Sequence, residues 1–354
     1  MSDLVDYAGC THIHTRYSDG SYNYDSILQD AKIAGLDFVL MADHDTLDPL
    51  KEDWQRWHDG VLCIVGTEIS SREGHIVSAN INDCDGYRRM PLEVSLQKVR
   101  EQGGIAFAAH PMGKVKRVFN IVVGAWHAWN SNFFHGIELW CYMHDWIHDL
   151  KFGNFRKFVS NPDTAITGPE PELLALWDKA TQKRTVSAVG ALDNHARNLP
   201  FHSLMKPIWT VLPHEYVFRT VRTHVLVESL SMDAEGDVKT ILNAMAKGSC
   251  YVSYDLIGNP QGFSFAGRQG GRNLLMGDEI SATKEPVELS VESPVTCEIR
   301  LIRDGRQIAC SNGCVLQTIV PAGEAGVFRV EAYLNDRPWI YSNPIYIRPK
   351  TAQM

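Results

Sequence analysis

Short apolar runs alternate with amphipathic stretches from residue 7 to about residue 200, and no other feature limits the possible folds as strongly. The stretches 24–34, 92–102 and 172–182 have helical spacing. Strand-like runs followed by helices are typical of βα units around a parallel sheet. The apolar runs cover residues 7–14, 38–44, 61–68, 75–81, 105–110, 136–140 and 185–193. We therefore expect an α/β fold in which these runs form the strands of a (β/α) barrel.

The character of the chain changes near residue 254. From there to residue 347, Gly and Pro breaks separate Val- and Ile-rich runs at 287–291, 298–303 and 327–334, with no convincing helical pattern. Such runs predict a small antiparallel β-sandwich. A chain of 354 residues suits one large and one small domain. We expect a barrel domain at 1–254 and an all-β sandwich-like domain at 255–354.

Residues 120–160 are crowded with aromatic side chains. An insertion of this kind can form a lid or a pocket wall, although aromatic residues more often pack in a core. The aromatic residues are Trp126, Trp129, Phe133, Phe134, Trp140, Tyr142, Trp146, Phe152, Phe155 and Phe158.

Composition and charge limit the setting and the partners of the protein. The apolar fraction of 44% is enough to bury a core, while no run of about 18 apolar residues predicts a membrane span. The first nine residues lack the basic region and apolar stretch of a signal peptide, so we expect a soluble, cytoplasmic protein. The formal net charge of −8 argues against a nucleic-acid surface, which would need clustered Lys and Arg. A small-molecule substrate is expected, and the oligomeric state is left open.

The eight cysteines form no CxxC pair, and Cys310 with Cys314 is the only close couple. A zinc site there would need a second pair of ligands, which the sequence does not supply. We interpret the cysteines as reduced structural thiols.

Potential metal ligands recur at the strand-like runs. Strand residues two apart point the same way, so a His-x-His or Asp-x-His pair can hold one ion. In a (β/α) barrel the carboxyl ends of the strands meet around one cavity. A single histidine after a strand is usually a satisfied buried polar group, but recurrence at six runs indicates a common site. The residues are His12, His14, His44, Glu68, His75, His110, Asp193 and His195.

Asp19 is a weaker candidate for this site, and two histidines are candidates for a lid. Asp19 lies five residues after His14, where the loop following the first strand would return over the barrel mouth, although Ser-Asp-Gly is also a common turn. His144 and His148 lie in the aromatic segment and are possible lid residues. The other histidines, at 58, 127, 135, 202, 214 and 224, follow no such pattern and are assigned to surface, core or lid.

In their order along the chain, these residues resemble the ligands of the PHP (polymerase and histidinol phosphatase) superfamily of metallohydrolases. The most specific motifs are residues 11–20 and 42–46, and the likeness spans roughly residues 7–200. The segments 247–254 and 338–344 are more loosely similar to the carbaryl hydrolase-like branch, which has a C-terminal β domain. The resemblance implies a distorted, TIM-like (β/α)7 barrel that holds two or three divalent ions of Zn, Mn or Fe.

Carried over residue by residue, the resemblance implies three ion positions. His12, His14, Glu68 and Asp193 would hold one ion, and Glu68 would bridge to a second ion held by His75 and His110. Asp19, His44 and His195 would hold the third. Family members commonly have His where Asp19 stands, so the metal preference of that position is open.

Ligands of this kind indicate hydrolysis by a metal-activated water. We expect a phosphoesterase acting on a small phosphorylated metabolite or nucleotide, with Asp19, His44, Glu68 and Arg197 as catalytic residues. Further candidates to bind the phosphate are Arg16, Lys114 and Arg117.

Two alternatives remain at this stage. The first is a carbamate, ester or amide hydrolase, which an apolar pocket would favour over a phosphoesterase. The second is a non-catalytic, metal-stabilised binding protein, which missing ligands would favour.

Overall fold

The computed structural model describes residues 4–116, 121–199 and 209–350. The strands are β1 (Val5–Ile13), β2 (Phe38–His44), β3 (Trp57–His58), β4 (Val61–Ser71), β5 (Gly74–Ala79), β6 (Ile105–Ala108), β7 (Lys114–Lys116), β8 (Ile121–Val123), β9 (Gly136–Cys141), β10 (Ser187–Ala191), β11 (Asn198–Leu199), β12 (Trp209–Thr210), β13 (Val221–Val227), β14 (Cys250–Tyr254), β15 (Ser264–Gln269), β16 (Arg272–Leu275), β17 (Glu279–Ser281), β18 (Val287–Arg303), β19 (Arg306–Val320), β20 (Gly326–Leu334), β21 (Arg337–Ser342) and β22 (Ile345–Arg348).

The helices are α1 (Tyr24–Ile33), α2 (Asp48–Lys51), α3 (Leu92–Glu101), α4 (Tyr142–Trp146), α5 (Phe155–Ser160), α6 (Pro171–Lys183), α7 (His214–Val217) and α8 (Ala234–Lys247). Short 3₁₀ turns lie at Phe152–Asn154, Pro162–Ala165 and Asp255–Ile257. Each of the seven apolar runs contains a strand, and each of the three stretches with helical spacing is a helix, so these predictions are confirmed. None of the helices in the described ranges combines the length and apolar character that a membrane span requires.

The strands belong mainly to one large mixed sheet, so the protein has a mixed α/β fold. β2 lies between β1 and β4 and is parallel to both. β9 is parallel to β6 on one side and to β10 on the other. Parallel strands place their carboxyl ends at one edge of a sheet, which brings the polar residues at the ends of these strands together.

The expected regular βα alternation is wrong between β4 and β6. β4 and β5 form an antiparallel hairpin, and β5 is also antiparallel to β6. Because β5 runs back along β4, its first residues lie beside the last residues of β4, and His75 pairs with Ser70. His75 therefore reaches the carboxyl-end edge of the sheet from the start of a strand.

Backbone hydrogen bonds also connect β1 to the segment that follows β10. Leu192 N donates to Thr11 O over 3.0 Å, Asn194 N donates to His12 O over 3.2 Å, and His14 N donates to Asn194 O over 2.9 Å. In order of pairing, the strands are β1, β2, β4, β5, β6, β9 and β10. The segment after β10 is then hydrogen-bonded to β1 again.

The larger helices cover this sheet with amphipathic faces. In α1 the buried residues Tyr24, Ile27, Leu28 and Ala31 recur at helical spacing, and Asn23 caps the helix by accepting a hydrogen bond from Ser26 N. α8 ends at Lys247 and is capped by Gly248, whose φ of 90° is the left-handed conformation that glycine adopts without strain.

Most C-terminal strands form antiparallel pairs around their own apolar cluster, and β17 is parallel to β22. β18 pairs with β19 and with β20, and β14 pairs with β21, so these strands continue the large sheet. The buried Arg329 of β20 donates to both carboxylate oxygens of Asp178 in α6, over 2.7 and 2.9 Å. Among the described residues after β14, the one helical element is the 3₁₀ turn Asp255–Ile257. The domain boundary at residue 254 and the sandwich-like domain stay predictions.

The aromatic segment contributes mostly to the core. Trp126, Phe134, Trp140, Tyr142 and Trp146 are buried in the main apolar cluster. Phe152 is the exception, since 85% of its surface is exposed.

Candidate metal centre

The end of β1 brings His12 and His14 to the carboxyl-end edge of the sheet. Both side chains are fully buried. The loop that follows is fixed by Asp43 of β2, which accepts hydrogen bonds from Thr15 N over 2.7 Å and from Ser18 Oγ over 2.6 Å. The loop therefore returns over the strand ends and carries Asp19 with it.

An inner group forms around the two histidines of β1. His12 Nε2 lies 3.2 Å from Glu68 Oε2 and 3.5 Å from Asp193 Oδ1. His14 Nε2 lies 3.3 and 3.2 Å from the same two oxygens. All four residues are buried, and one ligand atom from each lies within 4.8 Å of the others.

Glu68 of β4 connects this inner group to a second group. Its Oε1 lies 2.7 Å from His75 Nδ1 and 2.8 Å from His110 Nε2, while its Oε2 faces His12 and His14. His44 Nδ1 also lies 3.1 Å from Oε2, so Oε1 faces two histidines and Oε2 faces three others. This is the arrangement that a bridging carboxylate between two ions needs.

An outer group contains Asp19, His44 and His195 together with His14. Asp19 Oδ1 lies 3.1 Å from His195 Nε2, 3.7 Å from His14 Nδ1 and 3.9 Å from His44 Nε2. Arg197 Nη2 donates to Asp19 Oδ2. All nine predicted ligands therefore meet at one place, in the three groups that the resemblance implies. The inner group shares His14 with the outer group and Glu68 with the second group.

Exposure increases from the inner to the outer group. The side chains of His12, His14 and Glu68 are 0 to 1% exposed, whereas those of His44 and Asp19 are 30% and 39% exposed. A ligand from solvent can therefore approach the outer side of the cluster and not the inner side.

Several buried atoms of the cluster lack hydrogen-bond partners within the described residues. They are His12 Nε2, His14 Nε2, Glu68 Oε2, His110 Nδ1 and His144 Nε2. Buried polar atoms are normally satisfied, and electron-rich atoms facing one another at about 3 Å repel unless a cation lies between them. Imidazole nitrogens and carboxylate oxygens are the ligands that zinc, manganese and iron accept. The inner group therefore fits a divalent metal ion.

Glu138 of β9 is a site residue that the sequence analysis missed. Its Oε1 lies 2.6 Å from His12 Nδ1, and its Oε2 accepts a hydrogen bond from His110 N over 2.7 Å. A neutral His12 that donates its Nδ1 proton to Glu138 presents an unprotonated Nε2 to an ion. A charged residue inside the apolar run 136–140 was the available signal, since buried carboxylates need partners.

His144 also belongs to the site rather than to a lid. It lies on α4, directly after β9, and its Nε2 is 3.2 Å from Asp193 Oδ2. Its ring stacks on that of His110 with centroids 4.4 Å apart. His148, the other lid candidate, instead lies beside Lys114, with 2.9 Å between Nδ1 and Nζ.

Three of the clustered residues have backbone angles in the left-handed region. The φ values are 61° for His12, 29° for His110 and 49° for Asp193. Such conformations are costly for residues other than glycine, and they persist where the surrounding structure enforces them. They turn the three side chains into the cluster at the ends of their strands.

The carboxylates and histidines of the inner group shift one another's pKa. Burial opposes a charge on His14, yet Asp193 and Glu68 raise the pKa of His14 to about 9. Burial also disfavours the ionised form of Glu68, but His12 and His110 hold the pKa of Glu68 well below its usual value. Without an ion, protons supply the positive charge that this carboxylate cluster requires.

His144 is shifted in the opposite direction. Burial and the neighbouring His110 lower the pKa of His144 to about 4. The ring is therefore neutral near pH 7.

A cavity of about 440 Å³ opens over the cluster. One side is lined by site residues, among them Asp19, His44, His75 and His195. The other side is apolar and is formed by Val123, Met143, Trp146, Ile147, Leu150, Phe155, Val211 and Leu212. The aromatic segment thus supplies part of a pocket wall as well as core.

The four predicted phosphate-binding residues have different positions. Arg197 lines the cavity beside Asp19. Arg16 Nε donates to Ser21 O over 2.9 Å, and Lys114 Nζ donates to Glu170 Oε1 over 2.7 Å. Arg117 lies outside the described residues. Arg197 is therefore the one of the three described candidates that the structure places in the cavity.

Comparisons with known proteins give distant likenesses. No family model matches the chain. An uncharacterised protein from Methanocaldococcus jannaschii is 29% identical over 143 residues, which covers 36% of this chain and 83% of that protein.

Three solved structures are also similar. A two-domain protein from Bacteroides vulgatus, described as containing a predicted PHP-like metal-dependent phosphoesterase, is 16% identical with a TM-score of 0.47, over 97% of this chain and 96% of that one. A candidate metal-dependent phosphoesterase from Bifidobacterium adolescentis (14% identity, TM-score 0.33) and an amidohydrolase from Chromobacterium violaceum with bound sulfate and no metal (12% identity, TM-score 0.31) each match 53% of this chain and 87% of their own. With TM-scores below 0.5, none of these likenesses decides the fold or the activity of this chain.

Proposed function

We propose that this protein is a metal-dependent hydrolase of the PHP superfamily. The observation that carries the proposal is the inner group of His12, His14, Glu68 and Asp193, whose buried ligand atoms lie within 4.8 Å of one another. A cluster of four buried acceptor side chains is costly to a protein that has no cation to place there. It would be maintained for the chemistry of an ion.

We also propose that the seven strands β1, β2, β4, β5, β6, β9 and β10 form the distorted (β/α)7 barrel of that superfamily. The hydrogen bonds between Thr11 and Leu192, and between His14 and Asn194, support closure of the sheet. The antiparallel β4–β5–β6 segment would be the distortion.

The side chains have distinct parts in the proposed reaction. His12, His14, Glu68 and Asp193 would hold one ion, His75 and His110 would hold a second through Glu68, and Asp19, His44 and His195 would hold a third. A divalent ion in such a site supplies Lewis acidity and a water acidified toward neutral pH. Glu138 would orient His12, and the apolar wall would exclude bulk water from the reacting group.

The favoured substrate is a small phosphoester. A phosphoryl group offers several oxygens that can lie against adjacent cationic sites, and Arg197 lines the cavity where such a group would rest. The apolar wall would receive the leaving group, so we expect esters of apolar or aromatic alcohols to be preferred over those of small polar ones.

A second candidate is the hydrolysis of an aryl carbamate or ester, as in carbaryl hydrolase-like proteins. The apolar wall that includes Met143, Trp146 and Phe155 favours this alternative, because it would hold an uncharged aromatic substrate as well as a phosphoester. Arg197 already donates to Asp19, which reduces its availability to a phosphate.

The test is to purify the protein without chelator, measure bound metal by mass spectrometry, and assay it with Mn, Zn or Fe. Substrates would be p-nitrophenyl phosphate, a phosphodiester analogue and an aryl carbamate, with His12→Ala as control. Two or more equivalents of metal and phosphatase activity lost in the variant would support the first proposal. Carbamate turnover alone would favour the second, and a metal-free, inactive protein would refute both.

A further inference from the structure

A second groove opens beside the cavity that contains the apolar wall. It has a volume of about 1140 Å³, and Asp19, His44 and His75 line both spaces. These three side chains therefore stand between the cavity on one side and this groove on the other. A molecule bound at the cluster can extend into either space.

Three arginines line the groove: Arg72 in the turn between β4 and β5, and Arg88 and Arg89 in the loop before α3. Their side chains are exposed. Two backbone hydrogen bonds join the two segments, from Arg72 N to Met90 O over 3.0 Å and from Arg89 N to Ser70 O over 2.7 Å. The three cationic side chains are thus held on neighbouring parts of the backbone.

The loop that carries Arg88 and Arg89 is anchored to the core. Cys84 and Tyr87 are buried in the main apolar cluster, and Gln102 Nε2 donates to the Tyr87 hydroxyl over 2.9 Å. Arg89 has a φ of 58°, a conformation that a residue other than glycine adopts when its surroundings enforce it. The position of the arginines is therefore set by packing.

The positive charge of these arginines is only partly neutralised. Within the described ranges, no carboxylate lies at ion-pair distance from Arg72 or Arg89, and Arg88 Nε is 3.7 Å from Asp45 Oδ2. The other oxygen of Asp45 accepts a hydrogen bond from Ser70 N over 2.8 Å. Asp85 also lines the groove. Asp19 is the third carboxylate of the groove, but it already accepts a hydrogen bond from Arg197. The three guanidinium groups are thus left with Asp45 and Asp85 in a protein whose formal net charge is −8.

We propose that the groove of Arg72, Arg88 and Arg89 is a subsite for a second anionic group of the substrate. This proposal rests on the proposed function, since it assumes that the reacting group lies at the metal cluster. Arginine binds phosphate and carboxylate through paired N–H groups, and binding at one end makes the contact at the other end intramolecular. The substrate class is then a small molecule with two separated anionic groups. The net negative charge of the protein opposes a long polyanion such as a nucleic acid.

The test uses the full-length, metal-loaded protein and non-hydrolysable probes. Calorimetry would compare phenylphosphonate, which has one anionic group, with α,ω-alkane bisphosphonates of increasing spacer length. We expect at least one bisphosphonate to bind about tenfold or more tightly than the monophosphonate. The double variant Arg72→Gln/Arg89→Gln should lose that advantage and bind phenylphosphonate with unchanged affinity.

Arg306→Gln is the matched control, because Arg306 is an exposed arginine on β19. An advantage absent at every spacer length, or retained in the double variant, would overturn the proposal. An equal loss for both probes would also overturn it, since the arginines would then bind the first anionic group. If a short single-stranded oligonucleotide binds more tightly than every bisphosphonate, the ligand of the groove is a nucleic acid and the proposed substrate class is wrong.

Failure of the proposed function has a different signature. If p-nitrophenyl phosphate, the phosphodiester analogue and the carbamate are all left unhydrolysed, the hydrolase proposal fails. The ratio of the two phosphonate affinities still decides whether the groove binds a second anion.

Discussion

The carboxylate of Glu138 lies 2.6 Å from Nδ1 of His12, on the side of the ring opposite to the cluster of candidate metal ligands. Its other oxygen accepts the hydrogen bond from His110 N. One buried side chain therefore orients a ligand from β1 and fixes the backbone of a ligand that follows β6.

Replacing Glu138 by Gln should weaken metal binding about 10- to 100-fold. A Gln side chain can accept from only one of the two donors, so either the His12 ring or the His110 backbone loses its partner. Metal affinity measured by competition with a chelator tests this. Glu228→Gln, an exposed change, is the control, and equal affinities in the two variants would contradict the role given to Glu138.

Metal should stabilise the folded protein. An ion that binds the native state alone adds about 2.7 kcal/mol to the free energy of unfolding at a concentration 100 times its Kd. Thermal unfolding of metal-free protein, with and without added Zn or Mn, measures the effect. We expect His12→Ala to lose most of the increase in Tm and the exposed His127→Ala to retain it. A Tm that does not respond to metal in the wild type would argue against the site.

The apolar wall should select the leaving group. Phe155→Ala removes part of the wall and is expected to raise KM for an aryl phosphate or aryl ester about tenfold, which corresponds to about 1.4 kcal/mol. KM for the matching methyl ester should change little. Phe152→Ala is the control, because Phe152 lies nearby and is 85% exposed. A similar KM change for both esters would show that the apolar wall does not recognise the leaving group.

Stability should depend on pH through His224, which lies away from the metal cluster. Burial opposes its charge, but Asp255 and Asp6 raise the pKa of His224 to about 9. Because the pKa of His224 is higher in the folded protein than its value near 6.5 in the unfolded chain, the charged ring stabilises the fold. This stabilisation is complete below pH 6.5 and is lost as the pH rises through about 9. The contribution is about 3 kcal/mol for this shift of the fully buried ring.

Urea unfolding of metal-loaded protein near pH 6 and pH 10 would measure this effect. The wild type should be more stable than His224→Gln at the lower pH, and the difference should shrink by roughly that amount at the higher pH. An unchanged difference would mean that His224 is neutral in the folded protein.

The apolar pattern of the sequence was enough to predict the seven strands that carry or precede the ligands, the helices α1, α3 and α6, and the metal-ligand candidates. Strand and helix follow from local apolar periodicity, and ligands such as His12 and His14 stand at strand ends that periodicity can locate. The grouping of these ligands came from resemblance to a family whose order of residues this chain repeats.

Long-range strand pairing was needed to show which other side chains reach the cluster. Glu138 lies within an apolar run, and His144 lies among aromatic residues. The local pattern therefore did not predict that Glu138 contacts His12 or that His144 contacts Asp193. Their positions depend on the pairing of β9 with β6 and β10, and the reversal of β5 depends on a hairpin rather than on a βα unit. Strand pairing joins residues far apart in the chain, which the period of a single strand does not encode.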